Sequence, residues 1–207
     1  MKTKTLITAH SGCEGTAPNS MDHIFTALSC GAEMLEIDVR RAPDGTGGLY
    51  LSHDVGDPAS GVSFGAFLDA LKKSPSVRVN CDVKTEGLCA EVMEEAARRG
   101  LTDRIVFTGS CMGEEALIRE AGGEFWYSIW EREDFEKAVS SMQRTGAKIL
   151  NLPYRFVTEE NKARLDGLGL GFSCWTADSE EEIRRLLDLG VYNITTRKPV
   201  LALELRG

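Results

Sequence analysis

Two short runs in this chain set charged side chains side by side. Residues two apart in a β-strand point to the same face. Glu36-Ile37-Asp38 therefore pairs two carboxylates, and Asp82-Val83-Lys84 pairs an acid with a base. Carboxylates gathered at a strand end are costly unless a positive charge joins them. A divalent cation bound through oxygen is the natural partner for Glu36, Asp38 and Asp82. Mg2+ and Ca2+ accept the same ligand types, and both stay open. Two histidines, His10 and His53, also stand at strand ends. Imidazoles flanking a metal-bound phosphate can act as general acid and general base near neutral pH. Each feature alone is better read as a solvated or salt-bridged strand end or a structural histidine; together they point to chemistry. The remaining histidine, His23, falls in the helical segment Met21-Asp22-His23-Ile24 and reads as a surface residue.

These residues need strands to carry them, and the chain supplies strand and helix patterns in alternation. Strands are predicted over 6–10, 34–40, 49–52, 77–83, 104–108, 124–129, 148–152, 172–176 and 192–195. Helices are predicted over 19–30, 86–99, 114–121 and 134–144, with three more opening at Thr158, Ser179 and Pro199. Asn19 or Ser20 caps the first of these, and Ser179-x-x-Glu182 is a capping box. Asp44-Gly45 and Gly47-Gly48 predict a turn behind the second strand. Eight β/α units of about 25 residues predict a single-domain α/β (β/α)8 TIM barrel over residues 1–207. An open doubly wound sheet is the rival, but His10-Ser11-Gly12-Cys13-Glu14-Gly15 lacks the glycine order of a dinucleotide turn.

The 207 residues are 42% hydrophobic and 27% charged, as expected of one globular domain. A formal charge of −8 argues against nucleic acid and anionic membrane surfaces as partners. The apolar run after Met1 is too short for a signal peptide or a membrane anchor, so a cytoplasmic location is expected. None of the six cysteines forms a C-x-x-C pair, which predicts reduced core thiols; Cys13, three residues after His10, is a candidate to line a site. Trp126 and Trp130 fit core best, with pocket wall and interface as the alternatives. Oligomeric state is not written in the sequence.

The order of these features carries more than their types. A strand ending in His10-x-Gly12 is followed by Gly31-Ala32-x-x-x-Glu36-x-Asp38-Val39, an Asp-Gly turn and His53-Asp54. Asn80-x-Asp82-x-Lys84 comes next, then Trp175-Thr176 and Ile194-Thr195-Thr196-x-x-Pro199. The succession resembles the glycerophosphodiester phosphodiesterase family over nearly the whole chain, most specifically up to Lys84. The resemblance implies a phosphoric diester hydrolase of lipid metabolism that splits a small-molecule glycerophosphodiester into an alcohol and glycerol phosphate. It implies His10 and His53 as the acid/base pair, Glu36, Asp38 and Asp82 as ligands of the divalent metal, Lys84 at the phosphate and Trp175 against the alcohol portion. In the family, a neighbouring substrate hydroxyl is thought to attack phosphorus, giving a cyclic phosphate that water opens.

The chain departs from the family pattern in three places. Ser11 stands where the family usually has arginine, removing a guanidinium that could grip phosphate. Ala17-Pro18-Asn19-Ser20 replaces the usual Pro-Glu-Asn-Thr. The stretch between His53 and Asp82 is short, which predicts a reduced insertion, a smaller lid and a more open mouth. Arg155 is a candidate to replace the missing arginine. The alternatives to a glycerophosphodiesterase are a barrel that binds metal and phosphate without turnover, or a phosphodiesterase for another phospholipid-derived or sugar diester.

Overall fold

The computed structural model describes residues 4–42, 48–56 and 61–207. The expected turn at Asp44, Gly45 and Gly47 lies outside these residues. Eleven strands and eight helices are described. The strands are β1 (Leu6–Ala9), β2 (Met34–Arg41), β3 (Leu49–Leu51), β4 (Val62–Ser63), β5 (Arg78–Val83), β6 (Ile105–Gly109), β7 (Glu124–Phe125), β8 (Tyr127–Ser128), β9 (Ile149–Pro153), β10 (Gly171–Trp175) and β11 (Asn193–Thr196). The helices are α1 (Met21–Ser29), α2 (Phe64–Leu71), α3 (Cys89–Ala97), α4 (Glu115–Glu120), α5 (Phe135–Thr145), α6 (Glu159–Gly167), α7 (Glu180–Leu189) and α8 (Pro199–Arg206).

Nine parallel strands run in the order β7-β6-β5-β2-β1-β11-β10-β9-β8. β7 and β8 are the two halves of one predicted strand, parted at Trp126. The first half pairs with β6 and the second with β9, so the ring is nearly closed. β3 and β4 form an antiparallel extension off β2. The α/β (β/α)8 TIM barrel expected from the sequence is therefore the fold.

Strand alternation sorts the side chains. One set faces the helices and builds the main core, including Ile7, Ile37, Val79, Phe107, Leu150, Phe172 and Ile194, all fully buried. The other set fills the barrel. Met34, Val106, Trp126 and Ile149 form a separate apolar cluster at its N-terminal end. Above it lies a neutral polar layer: Thr8 donates to Asn193 at 2.8 Å, Asn193 to Ser173 at 3.0 Å, and Thr108 to Asn80 at 2.8 Å. The charged residues come next, at the C-terminal ends.

The predicted caps are present. Ser20 accepts from the His23 N–H, Thr158 from the Asn161 N–H, and Ser179 and Glu182 close a capping box. The sequence reading had no helix between His53 and Asp82. α2 lies there, capped by Ser63 and burying Phe64, Phe67, Leu68 and Leu71. This helix completes the second β/α unit, and among the described residues no capping subdomain covers the barrel mouth. All six cysteines are unpaired, and five are buried.

Candidate active site

The alternation that builds the core also aims the chemistry. β2 and β5 pair in register with Glu36 beside Asn80 and Asp38 beside Asp82. Oxygens of Glu36, Asp38 and Asp82 can all lie within 4.8 Å of one another. Lys84 bridges two of the three, 2.9 Å from Asp38 Oδ1 and 2.7 Å from Asp82 Oδ2. These residues, with His10, His53, Trp130, Trp175 and Arg197, line a cavity of about 370 Å³.

Three carboxylates, two buried and one partly buried, against one ammonium leave excess negative charge. Burial, then the neighbouring Asp38 and Asp82, push Glu36 well above the ordinary carboxylate range. Burial also raises Asp82, despite the pull of Lys84. Burial alone would lower the Lys84 pKa, but Asp82 and Asp38 outweigh it and hold it up. An all-oxygen, net-negative donor set suits a hard divalent cation, so the residues fit the metal site expected of them.

Loop residues fix the cluster from behind. Asn19 donates to Asp38 Oδ2 at 2.7 Å and accepts the Asp38 N–H at 3.0 Å. It does so from a left-handed backbone (φ 55°), which asparagine tolerates better than most residues. Ser11 is buried; its N–H donates to Glu36 Oε2 at 2.8 Å and its hydroxyl accepts the Asn19 N–H at 2.9 Å. Ser11 thus holds the loop instead of reaching into the cavity. Gly109 (φ 83°) closes the far side, where a β-carbon would collide with Asp82 Oδ1 and the Val83 backbone.

The two strand-end histidines share the cavity but differ in setting. His10 is partly buried. Its Nδ1 lies 2.8 Å from the Ser11 carbonyl, so Nδ1 carries the proton and Nε2 is left as an acceptor. Burial lowers its pKa, the Ser11 carbonyl partly opposes this, and the Arg197 charge lowers it further. His53 is exposed. Its ring meets Asp54 at 3.0 Å, while Arg40 donates to its carbonyl at 3.0 and 2.7 Å.

Some expectations are corrected. His23 is fully buried, with Nε2 3.1 Å from the Glu36 carbonyl and Nδ1 3.6 Å from Cys13 Sγ. It faces inward with Ile24 and Ala27 and supports β2 from behind. Cys13 does not line the cavity; burial pushes its thiol up to about 12. Arg155 stacks on Phe156, 4.7 Å from the ring centroid, and is not a cavity residue. Trp126 is core, whereas Trp130 is half exposed on the cavity wall. The sequence reading passed over Arg197, Thr108, Ser128 and Asn151, all of which line the cavity, and used Thr195 only as part of a pattern. The signal was the two-residue spacing of inward-facing positions on β6, β8, β9 and β11, which Arg197 continues past β11.

No family model matches the sequence, and no curated protein matches it. Solved structures do match. An Agrobacterium tumefaciens protein provisionally named a glycerophosphoryl diester phosphodiesterase has a TM-score of 0.87 at 19% identity, over 99% of this chain and 98% of its own. A glycerophosphodiester phosphodiesterase from Parabacteroides distasonis has a TM-score of 0.79 at 20% identity, over 100% and 98%. A phosphodiesterase from Oleispira antarctica, in complex with the product sn-glycerol-3-phosphate, has a TM-score of 0.79 at 15% identity, over 97% and 96%. From end to end, this chain has the fold of the glycerophosphodiester phosphodiesterase structures.

Proposed function

We propose that the protein is a metal-dependent phosphoric diester hydrolase that converts a glycerophosphodiester into an alcohol and glycerol phosphate. The observation that carries this reading is the convergence of Glu36, Asp38, Asp82, Lys84, His10 and His53 on one cavity at the C-terminal strand ends. That is where barrels of this kind place catalysis.

Glu36, Asp38 and Asp82 hold the divalent cation, Mg2+ or Ca2+. When bound, it offsets charge on the phosphate oxygens. Lys84 holds the carboxylates in place and faces the phosphate, and Trp175 packs against the alcohol portion. One histidine takes the proton from the glycerol hydroxyl next to the ester as that oxygen attacks phosphorus. The bond from phosphorus to the leaving alcohol breaks, and the other histidine protonates the departing oxygen. Water then opens the cyclic phosphate with the proton roles reversed. The net change is diester plus water to alcohol plus glycerol phosphate. Both rings engage Nδ1, with the Ser11 carbonyl and with Asp54, leaving Nε2 for proton transfer.

Glycerophosphodiesters are deacylated phospholipids, so the reaction belongs to lipid turnover. Unpaired cysteines are in keeping with a cytoplasmic setting. Among the described residues, no helix is long and apolar enough to cross a membrane.

The test is hydrolysis of glycerophosphocholine, glycerophosphoethanolamine and a chromogenic diester with Mg2+, with Ca2+ and with a chelator. Metal-dependent turnover that falls about 10²- to 10⁴-fold in His10→Ala is expected. A metal-loaded protein that turns over none of them refutes the reading and leaves a binding barrel.

A further inference from the structure

The cavity needs a cation for an anionic substrate, and its best-known cation is already committed. Lys84 is held between Asp38 and Asp82 at 2.9 and 2.7 Å. With a dication in place, three carboxylates, Lys84 and the metal together approach neutrality. A phosphodiester monoanion entering this layer meets little net positive charge. One further cationic side chain, Arg197, lines the same cavity among the described residues.

We propose that Arg197 is the phosphate-gripping residue of the site, and that Asp178 is the positioning residue that sets it. This inference rests on the phosphodiesterase reading and names the group that binds the substrate's phosphate oxygens.

Arg197 follows β11 at the spacing that continues the inward set Asn193 and Thr195. Its backbone is fixed on both sides. Its N–H donates to Asp178 Oδ1 at 2.7 Å, and its carbonyl accepts the Glu14 N–H at 2.9 Å. Asp178 also takes the side chain, with Nη1 donating to Oδ2 at 2.9 Å, and accepts the Thr196 hydroxyl at 3.3 Å. One carboxylate therefore orients both the main chain and the guanidinium. Nε and Nη2 have no protein partner among the described residues, and the side chain is 49% exposed. Asp178 compensates part of the charge without occupying those donors.

A guanidinium with free N–H groups suits phosphate oxygens, which it can meet two at a time. Holding it in one rotamer beforehand removes ordering cost from binding. Arg197 and His10 line the same cavity. The two side chains therefore address one space.

The test is binding of sn-glycerol 3-phosphate to the Mg2+-loaded protein by calorimetry, paired with steady-state kinetics on glycerophosphocholine. Arg197→Ala is expected to weaken glycerol phosphate binding about 10- to 100-fold, and to raise KM by a similar factor with kcat changed only a few-fold. Arg197→Lys should recover part of the loss, and free guanidinium should strengthen binding to Arg197→Ala but not to the wild type. Asp178→Asn should weaken binding a few-fold in the wild-type background and have no effect in Arg197→Ala, because it acts through the guanidinium. Equal affinity in wild type and Arg197→Ala, at matched melting temperatures, overturns the proposal. So does a wild-type protein that binds no glycerol phosphate. A protein that binds glycerol phosphate through Arg197 yet hydrolyses nothing overturns only the catalytic reading.

Discussion

The two ends of the barrel treat the same residue type in opposite ways. Glu33 stands at the start of β2 and Glu36 three residues further along. At the N-terminal end, burial alone would raise Glu33. Hydrogen bonds from Arg206 (2.9 Å) and the Ile7 N–H (3.0 Å), with the Arg206 charge, bring it below the usual range instead. Arg104 likewise gathers the Leu71, Ser74 and Val77 carbonyls on this side. At the C-terminal end, burial and two neighbouring carboxylates push Glu36 up. One end has its charges matched within the protein; the other keeps an excess of negative charge, which under the proposed function the cation would offset. On the proposed function, the difference separates residues that hold the fold from residues that would hold the cation.

Exchanging each glutamate for its neutral isostere tests that separation most directly. Glu36→Gln should lower turnover on the order of 10²-fold and weaken metal binding, while raising the melting temperature of metal-free protein. Glu33→Gln should do the reverse, leaving turnover intact and costing about 2 kcal/mol in urea unfolding. If both variants lose stability alike, the two ends are not specialised. The glycines give a second contrast. Gly109→Ala at the mouth should cost well over ~2 kcal/mol and impair metal binding through Asp82. Gly190→Ala, past α7 with open space around it, should cost only about 1 to 2 kcal/mol and leave metal affinity unchanged.

A smaller effect is in the pH dependence. Glu36 and Asp82 have folded-state pKa values above their unfolded ones, so the native state holds extra protons. Their stabilising contribution is complete below the unfolded carboxylate value of about 4 and is lost as pH rises through the folded values. Thermal melts of metal-free protein should show this loss, and saturating Mg2+ should remove it. Glu33, lowered on folding, contributes with the opposite sign, so Glu33→Gln should steepen the loss slightly. An identical pH slope with and without metal would break the link between the raised carboxylates and the cation.

Much of this was legible because strand alternation has a period of two. Glu36 and Asp38, then Asp82 and Lys84, could be placed on one face from spacing alone. His10 and His53 followed from their strand ends. Other features depended on contacts between elements. His23 reads as a polar helix residue until α1 is laid against β2, where the Glu36 carbonyl and Cys13 receive it. α2 was missed although Phe64, Phe67, Leu68 and Leu71 carry a helical spacing behind the Ser63 cap. The short apolar run lies between segments carrying Gly56, Pro58 and Gly61 on one side and Pro75 on the other, which interrupt the pattern. Arg197 fell within a Thr-x-x-x-Pro pattern whose intervening positions carried no weight, and Asp178, which orients it, lies in a different β/α loop.

The layer of hydroxyls and amides inside the barrel has a consequence for how such a chain can change. Thr8, Asn193, Ser173, Thr108 and Asn80 bond to one another and form a neutral partition between the apolar plug below and the carboxylates above. At Asn80 and Thr108 the partition is also the wall of the cavity, so the polar layer faces the site on one side and the plug on the other. A change at either position would therefore be felt in the cavity and in the packing of the barrel interior together.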